Sequence, residues 1–230
     1  MPPTTTTTAP TDEDWKNHAK DFVYWINRTC CGLRTNGHWD PLPDTGARAA
    51  LAEAVRRPPE RFPQAAIRAI LAAALEHGPD PARAVWNKGV GKGLSIEREY
   101  AYYTVAALIA AQARDARDQQ AETRTRHRLS LGGSLALLDV GKPFDEETPR
   151  ESDLRLIAKQ GLGGIHAVLP DVVRQLRNRT EPIPLDWTQL IIDLAAWPHR
   201  REKVTKRWND DYYRTRYNNR ATDAEGTENP

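Results

Sequence analysis

Arg200, Lys203, Arg207 and Arg214 stand at offsets of zero, three, seven and fourteen residues. At roughly 100° per residue these four cations fall within about 60° of one another on a helix. The surrounding segment, 197–220, carries eight basic residues against three acids, Glu202, Asp210 and Asp211. Guanidinium and ammonium groups arranged this way neutralise phosphates and release counterions, giving affinity that is independent of base sequence and falls with salt. The competing reading is a solvated terminal helix whose charges serve solubility. Further arginines close other helical segments: Arg56 and Arg57 at the end of one, and Arg174 and Arg177 at the end of another. Cations at a helix C-terminus also complement its macrodipole, so position alone does not make them ligands.

Catalytic chemistry finds less support. The six histidines, His18, His38, His77, His127, His166 and His199, share no metal-ligand spacing and join no Ser/His/Asp motif. Carboxylates are plentiful, but nothing in their spacing brings two together in an apolar site. The segment Gly89–Ser95, GVGKGLS, has the wrong spacing and the wrong residue after its lysine for a Walker loop, and reads as a surface loop. Cys30 and Cys31 are adjacent, a strained arrangement for a disulfide, and read as buried thiols. No metal, no cofactor and no catalytic residue is expected.

The elements that must position the arginines are helical. Ala and Leu dominate and β-branched runs are scarce, so the chain is expected to be all-α. Phe22, Val23, Trp25 and Ile26 mark an opening helix ending near Gly32. Asp44 to Arg57 forms a second, closed by Pro58-Pro59, and Ala65 to Leu75 a third. Leu94 to Gln112 is expected to be the longest helix. An Arg-rich connector (Arg114 to Arg128) leads to the short element LSLGGSLALL, and residues 139–149 form a polar loop. Leu162, Ile165, Leu169, Val172, Val173 and Leu176 share one face, with Pro170 expected to start a fresh helix inside that span. Asp186 can cap a helix in which Trp187, Leu190, Ile191, Leu194 and Trp197 recur on one side, and Pro198 is expected to stop it. Val204, Trp208 and Tyr212 form an apolar stripe in the basic segment that follows. The expected division is two small helical bundles packed together, 11–125 and 126–217, with disordered tails at 1–10 and 218–230.

The bulk numbers agree. The chain has 230 residues and is 39% hydrophobic, enough to bury a core. A formal charge of +2 excludes a globally basic protein but not a locally basic face. Two cysteines with no disulfide framework suit a reducing cytoplasm, and no apolar run approaches the roughly 20 residues needed to cross a bilayer. Residues 1–10 lack a signal-peptide layout.

Three stretches together resemble a known family. GARAALAEA at Gly46–Ala54, followed by RRPPERFP, resembles the GxRAxLRR-type helix of the CasB family, the small subunit of the type I-E CRISPR Cascade complex. SLGGSLALL at Ser130–Leu138 is similar to that family's SLGRALA element. The series from Leu169 to Trp208 (LPDVVRQLRNR, then LDWTQLIIDLAAW, then RRE and RW) resembles its C-terminal pattern. The match covers roughly residues 44–210.

The resemblance implies an all-helical protein of two bundles, present as two copies beside the backbone and large subunits of Cascade. There it would support the hybrid of crRNA and target DNA and hold the displaced, non-target strand, without catalysis. Arg48, Arg174, Arg177, Arg200 and Arg201 occupy the family's arginine positions. Ala52-Glu53 stands where members often carry a basic pair, which Arg56 and Arg57 would replace one turn later. Gly133 stands where SLGRALA has arginine, so a contact there is lost. With Lys203 and Arg207 from the cation row, these make the candidate nucleic-acid-binding set. The alternatives are a helical interaction scaffold that never touches nucleic acid, and a helix-turn-helix regulator built around Pro198.

Overall fold

Residues 12–32, 34–35, 38–39, 42–75, 96–122 and 129–225 are described by a computed structural model. Helix α1, Asp12–Cys31, buries Ala19, Phe22, Ile26 and Cys30 along one face. It stops at Gly32, whose φ of 72° lies in the left-handed region that glycine enters without steric cost. A two-residue antiparallel ladder follows, β1 (Arg34–Thr35) with β2 (His38–Trp39), a small departure from the all-helical expectation. Asp44 caps α2, Thr45–Ala54, its carboxylate accepting from the Ala47 amide at 2.9 Å. Next come α3, Gln64–Leu75, and α4, Ile96–Ala110.

Residues 101–110 of α4 are buried all round, the signature of a helix surrounded by others. It contacts α1, α2 and α3, and two helices from the C-terminal half. Helix α5, Arg114–Glu122, takes up part of the expected connector. Ser130 caps α6, Leu131–Ala136, and a short 3-10 turn, Leu137–Asp139, extends it. Helix α7, Pro149–Ala158, starts with proline at N1 and a capping box between Thr148 and Glu151. Helix α8, Leu162–Arg177, runs through Pro170 without restarting, because Leu169, Pro170, Val172 and Val173 are all buried in the core and hold the chain helical.

The last element, α9, spans Trp187–Glu225 and is broken at Arg200, which has non-helical angles of φ −135° and ψ 23°. Fifteen residues of straight helix would separate Asp193 from Trp208 by about 22 Å. Yet Trp208 Nε1 donates to Asp193 Oδ2 at 2.7 Å, and the Trp197 and Trp208 rings stack with centroids 5.4 Å apart. The two legs, 187–199 and 201–225, therefore fold back on each other as a helical hairpin. Contrary to expectation, Pro198 does not itself stop the first leg: it lies inside the helix, and the break comes two residues later at Arg200. The second leg is longer than expected: it is helical through Glu225, so residues 218–225 are helix where a tail was anticipated. It also makes α9, and not α4, the longest element.

One apolar core joins residues from both expected bundles, including Phe22, Leu51, Ile109, Leu135, Ile157, Leu176 and Trp197. The expected boundary at 125/126, the Gly89–Ser95 loop and the tail at 1–10 lie outside the described residues. Cys30 and Cys31 are free, buried thiols, as anticipated. Burial pushes both thiols up, Cys31 to about 12.

Two packing details generate tests. A Cβ at Gly132 would stand 1.8 Å from the Trp208 carbonyl oxygen, so α6 and the second leg of α9 approach at a distance only glycine permits. Gly132→Ala is expected to destabilise the fold by about 2–4 kcal/mol in denaturant unfolding. His18 Nδ1 lies 2.7 Å from the Tyr102 hydroxyl and His166 Nδ1 lies 2.7 Å from Thr104 Oγ1, both pairs in the core. Burial lowers both histidines to about 4, so the folded chain keeps them neutral while the unfolded chain protonates near 6.5. Their contribution is complete above pH 6.5 and is lost as pH falls towards 4, by up to about 1.4 kcal/mol per pH unit for each. An unfolding midpoint measured from pH 7 to 4.5 should fall more steeply for the natural chain than for His18→Gln/His166→Gln.

Candidate nucleic-acid interface

Of the nine expected cations, the fold gathers some at the surface and takes others inward. The reversal of α9 puts Arg200, Arg201 and Lys203 at the tip of the hairpin, where residues 198–203 are all exposed. Arg201 Nη1 donates to the Gln160 carbonyl at 3.4 Å, and Trp197 Nε1 donates to the same oxygen at 3.1 Å. The tip therefore rests against the turn between α7 and α8. Among the described residues no carboxylate lies within ion-pair distance of Arg200, Arg201 or Lys203. These charges are available to a ligand.

The second group forms at the other end of α8. Arg56 Nη2 and Arg174 Nη2 each lie 3.0 Å from the same oxygen, Asp171 Oδ1. The two guanidinium nitrogens are thus no more than about 6 Å apart, although the residues are far apart in sequence. All three side chains are more than half exposed, so the ion pairs contribute little to stability but leave most guanidinium N–H donors facing water. The trio carries a net positive charge and has the geometry to place two forks on one phosphodiester. Arg57 sits beside it and pairs with Glu53 one turn back, at 2.5 Å.

Helix α8 links the two groups. Leu162 and Arg174 are separated by about 18 Å of helix. Between them Gly163, Ala167 and Asp171 form an exposed stripe at i, i+4, i+8, which is small and smooth over its first half. An extended anionic chain can lie along such a surface, gripped at each end.

Three expected site residues are placed differently. Arg177 is buried: Nε donates to Gln112 Oε1 at 2.7 Å, Nη1 to the Ile183 carbonyl at 2.7 Å and Nη2 to the Ala116 carbonyl at 3.1 Å. Its fork ties α8 to α5 and to the strand of chain before α9, and burial lowers its pKa to about 10. Arg207 turns towards the first hairpin leg and pairs with Asp193, a buried carboxylate that also accepts from Gln189 and Trp208. Burial raises the Asp193 pKa, and Arg207 leads the bonds that oppose the rise. Arg48 is half-buried with Nε shielded and without a hydrogen-bond partner among the described residues, close enough to the Cys30 and Cys31 thiols to oppose their upward shift. Lys206 and Arg214 pair locally with Asp210 and Asp211. Trp208 and Tyr212 are core residues.

Asp171 was missed by sequence reasoning. An Asp three residues before Arg174 signals a local ion pair, but nothing in the sequence places Arg56 beside it. Among the described residues no group of histidine, cysteine and carboxylate side chains could hold a metal ion, and no helix is long and apolar enough to cross a membrane.

Fold and surface together define a helical protein that holds a set of exposed arginines and a lysine on a packed frame. The chain belongs to the Cse2 family: residues 47–213 match the model of CRISPR-associated protein Cse2. It is 33% identical to a chain of a solved CRISPR RNA-guided surveillance complex, covering 89% of this chain and 96% of that one, with a TM-score of 0.61. A pre-nicking form of a CRISPR RNA-guided surveillance complex contains a similar chain at 35% identity, 88% and 96% coverage and a TM-score of 0.62. M. ruber CasB shares the fold at 17% identity, with 89% and 97% coverage and a TM-score of 0.59. No curated protein matches the chain.

Arg177 gives the sharpest separation of frame from surface. Arg177→Met strands three internal acceptors and is expected to cost about 3–5 kcal/mol in unfolding experiments. The salt dependence of nucleic-acid binding by the remaining folded protein should not change.

Proposed function

We propose that this chain is a non-catalytic subunit of a CRISPR RNA-guided surveillance complex in the cytoplasm, which grips the phosphate backbones of the nucleic acids that assembly holds. The ligands are the hybrid of crRNA and target DNA and the displaced DNA strand, bound beside the backbone and large subunits by two copies of the chain. The observation that carries this reading is the meeting of Arg56 and Arg174 on one exposed Asp171 oxygen, at the opposite end of α8 from the cationic hairpin tip. The chain's likeness to subunits of solved surveillance complexes supports the setting.

The chemistry is positional. Guanidinium forks displace counterions from phosphates and fix the strand without reading bases. Sequence recognition is left to pairing between guide and target, and the protein contributes shape and charge. Asp171 holds the two forks together when no ligand is bound, and its own charge opposes an incoming phosphate.

Two measurements test this. Replacing Arg56, Arg174, Arg200 and Arg201 together by alanine should weaken target binding by the assembled complex and lower the slope of log affinity against log salt by about 3 for each copy of the chain that contacts nucleic acid. An unchanged slope would refute the reading. Asp171→Asn keeps an acceptor between the arginines but removes its charge, and should raise affinity about three- to tenfold at low salt, with the gain shrinking as salt rises.

A further inference from the structure

A second surface lies where the exposed loop 140–147 meets the second leg of α9. Val140, Phe144, Tyr213 and Tyr217, four large apolar side chains, stay exposed there. The Phe144 and Tyr213 rings are 6.3 Å apart, and Tyr217 follows Tyr213 by one helical turn. Beside them is a cavity of about 390 Å³ lined by Val140, Gly141, Phe144, Arg216 and Asn219. Asn219 Nδ2 is shielded from solvent and has no hydrogen-bond partner among the described residues, a donor without an acceptor at the cavity wall.

Charge decides what could fill it. The cations are already engaged: Lys142 pairs with buried Asp139 at 2.6 Å, while Arg216 pairs with Glu151 at 3.0 Å and donates to the Pro143 carbonyl at 2.6 Å. Asp145 and Glu146 are exposed, with no cation within ion-pair distance among the described residues. This unbalanced negative rim repels a phosphate backbone and attracts lysine or arginine. Exposed aromatics around a concavity with a charged rim mark a protein-binding site.

We propose that this corner docks another protein subunit of the same assembly through an extended segment. That segment inserts an apolar side chain beside Val140 and Phe144, offers a backbone carbonyl to Asn219 Nδ2, and sets basic side chains against Asp145 and Glu146. The proposal rests on the functional reading above, since it requires the chain to be one subunit among several. It gives the chain two chemically different surfaces, cationic for nucleic acid and acidic-aromatic for protein.

The test purifies the complete surveillance complex through a tag on a different subunit and measures how much of this chain is retained. Phe144→Ala/Tyr213→Ala removes the apolar anchors, and Asp145→Lys/Glu146→Lys reverses the rim without touching packed side chains. Each should cut retention by about tenfold or more under competition with the natural chain. The melting temperature should stay unchanged under Asp145→Lys/Glu146→Lys, and the affinity of the free chain for a labelled single-stranded oligonucleotide should stay unchanged under Phe144→Ala/Tyr213→Ala. Retention of both variants at the natural level overturns the proposal. So does loss of oligonucleotide affinity in Phe144→Ala/Tyr213→Ala, which would make the corner a base-stacking platform. Conversion of a free dimer to monomer by either variant also overturns it, by making the occupant a second copy. If the natural chain itself is absent from the purified complex, the functional reading fails and the proposal with it.

Discussion

The structure turns on a buried carboxylate, Asp193, that closes the α9 hairpin. It sits on the first leg and takes hydrogen bonds from Trp208 and Gln189 and an ion pair from Arg207. A carboxylate cannot be taken out of water uncompensated, so the partners from the second leg must be present whenever the first leg is buried. That requirement brings 187–199 and 201–225 together and stacks Trp197 on Trp208. The non-helical residue Arg200 lies at the apex, and the free cations are presented there as a result. The polar pair inside the hairpin and the charged tip outside it are one arrangement.

The same economy runs through the rest of the molecule. Its arginines divide by environment and not by sequence context. Arg177 and Arg216 are sealed among carbonyls and carboxylates and knit helices together. Arg56, Arg174, Arg200 and Arg201 stand in water, either unpaired or held by exposed partners worth little. A guanidinium suits both tasks because it keeps its charge even when buried and has five donors in a fixed plane.

Local signals were legible in the sequence. Asp44, Ser130 and Asp186 cap helices as their side chains dictate, Gly32 ends α1, and the apolar periodicity from Trp187 to Trp197 maps onto the core. The family resemblance was likewise legible in motif order. What failed were inferences about where individual arginines go, because each depends on partners far along the chain. Arg177 reads as a helix-end cation until Gln112 and Ala116 arrive beside it. Arg207 shares a helical stripe with Lys203, yet the reversal at Arg200 turns it onto Asp193. The pairing of Arg56 with Asp171 spans 115 positions. Pro170 misled for a related reason: a local breaking tendency is overridden when the proline itself and Leu169, Val172 and Val173 around it are buried in the core.

Helix α8 separates the two cation groups by a fixed number of turns, so its length behaves as a measured quantity. Inserting or deleting one residue between Leu162 and Asp171 would shift the far group by about 1.5 Å and swing it by about 100° around the axis. Variation in chain length should therefore be excluded from this helix, whatever substitutions the helix itself accepts.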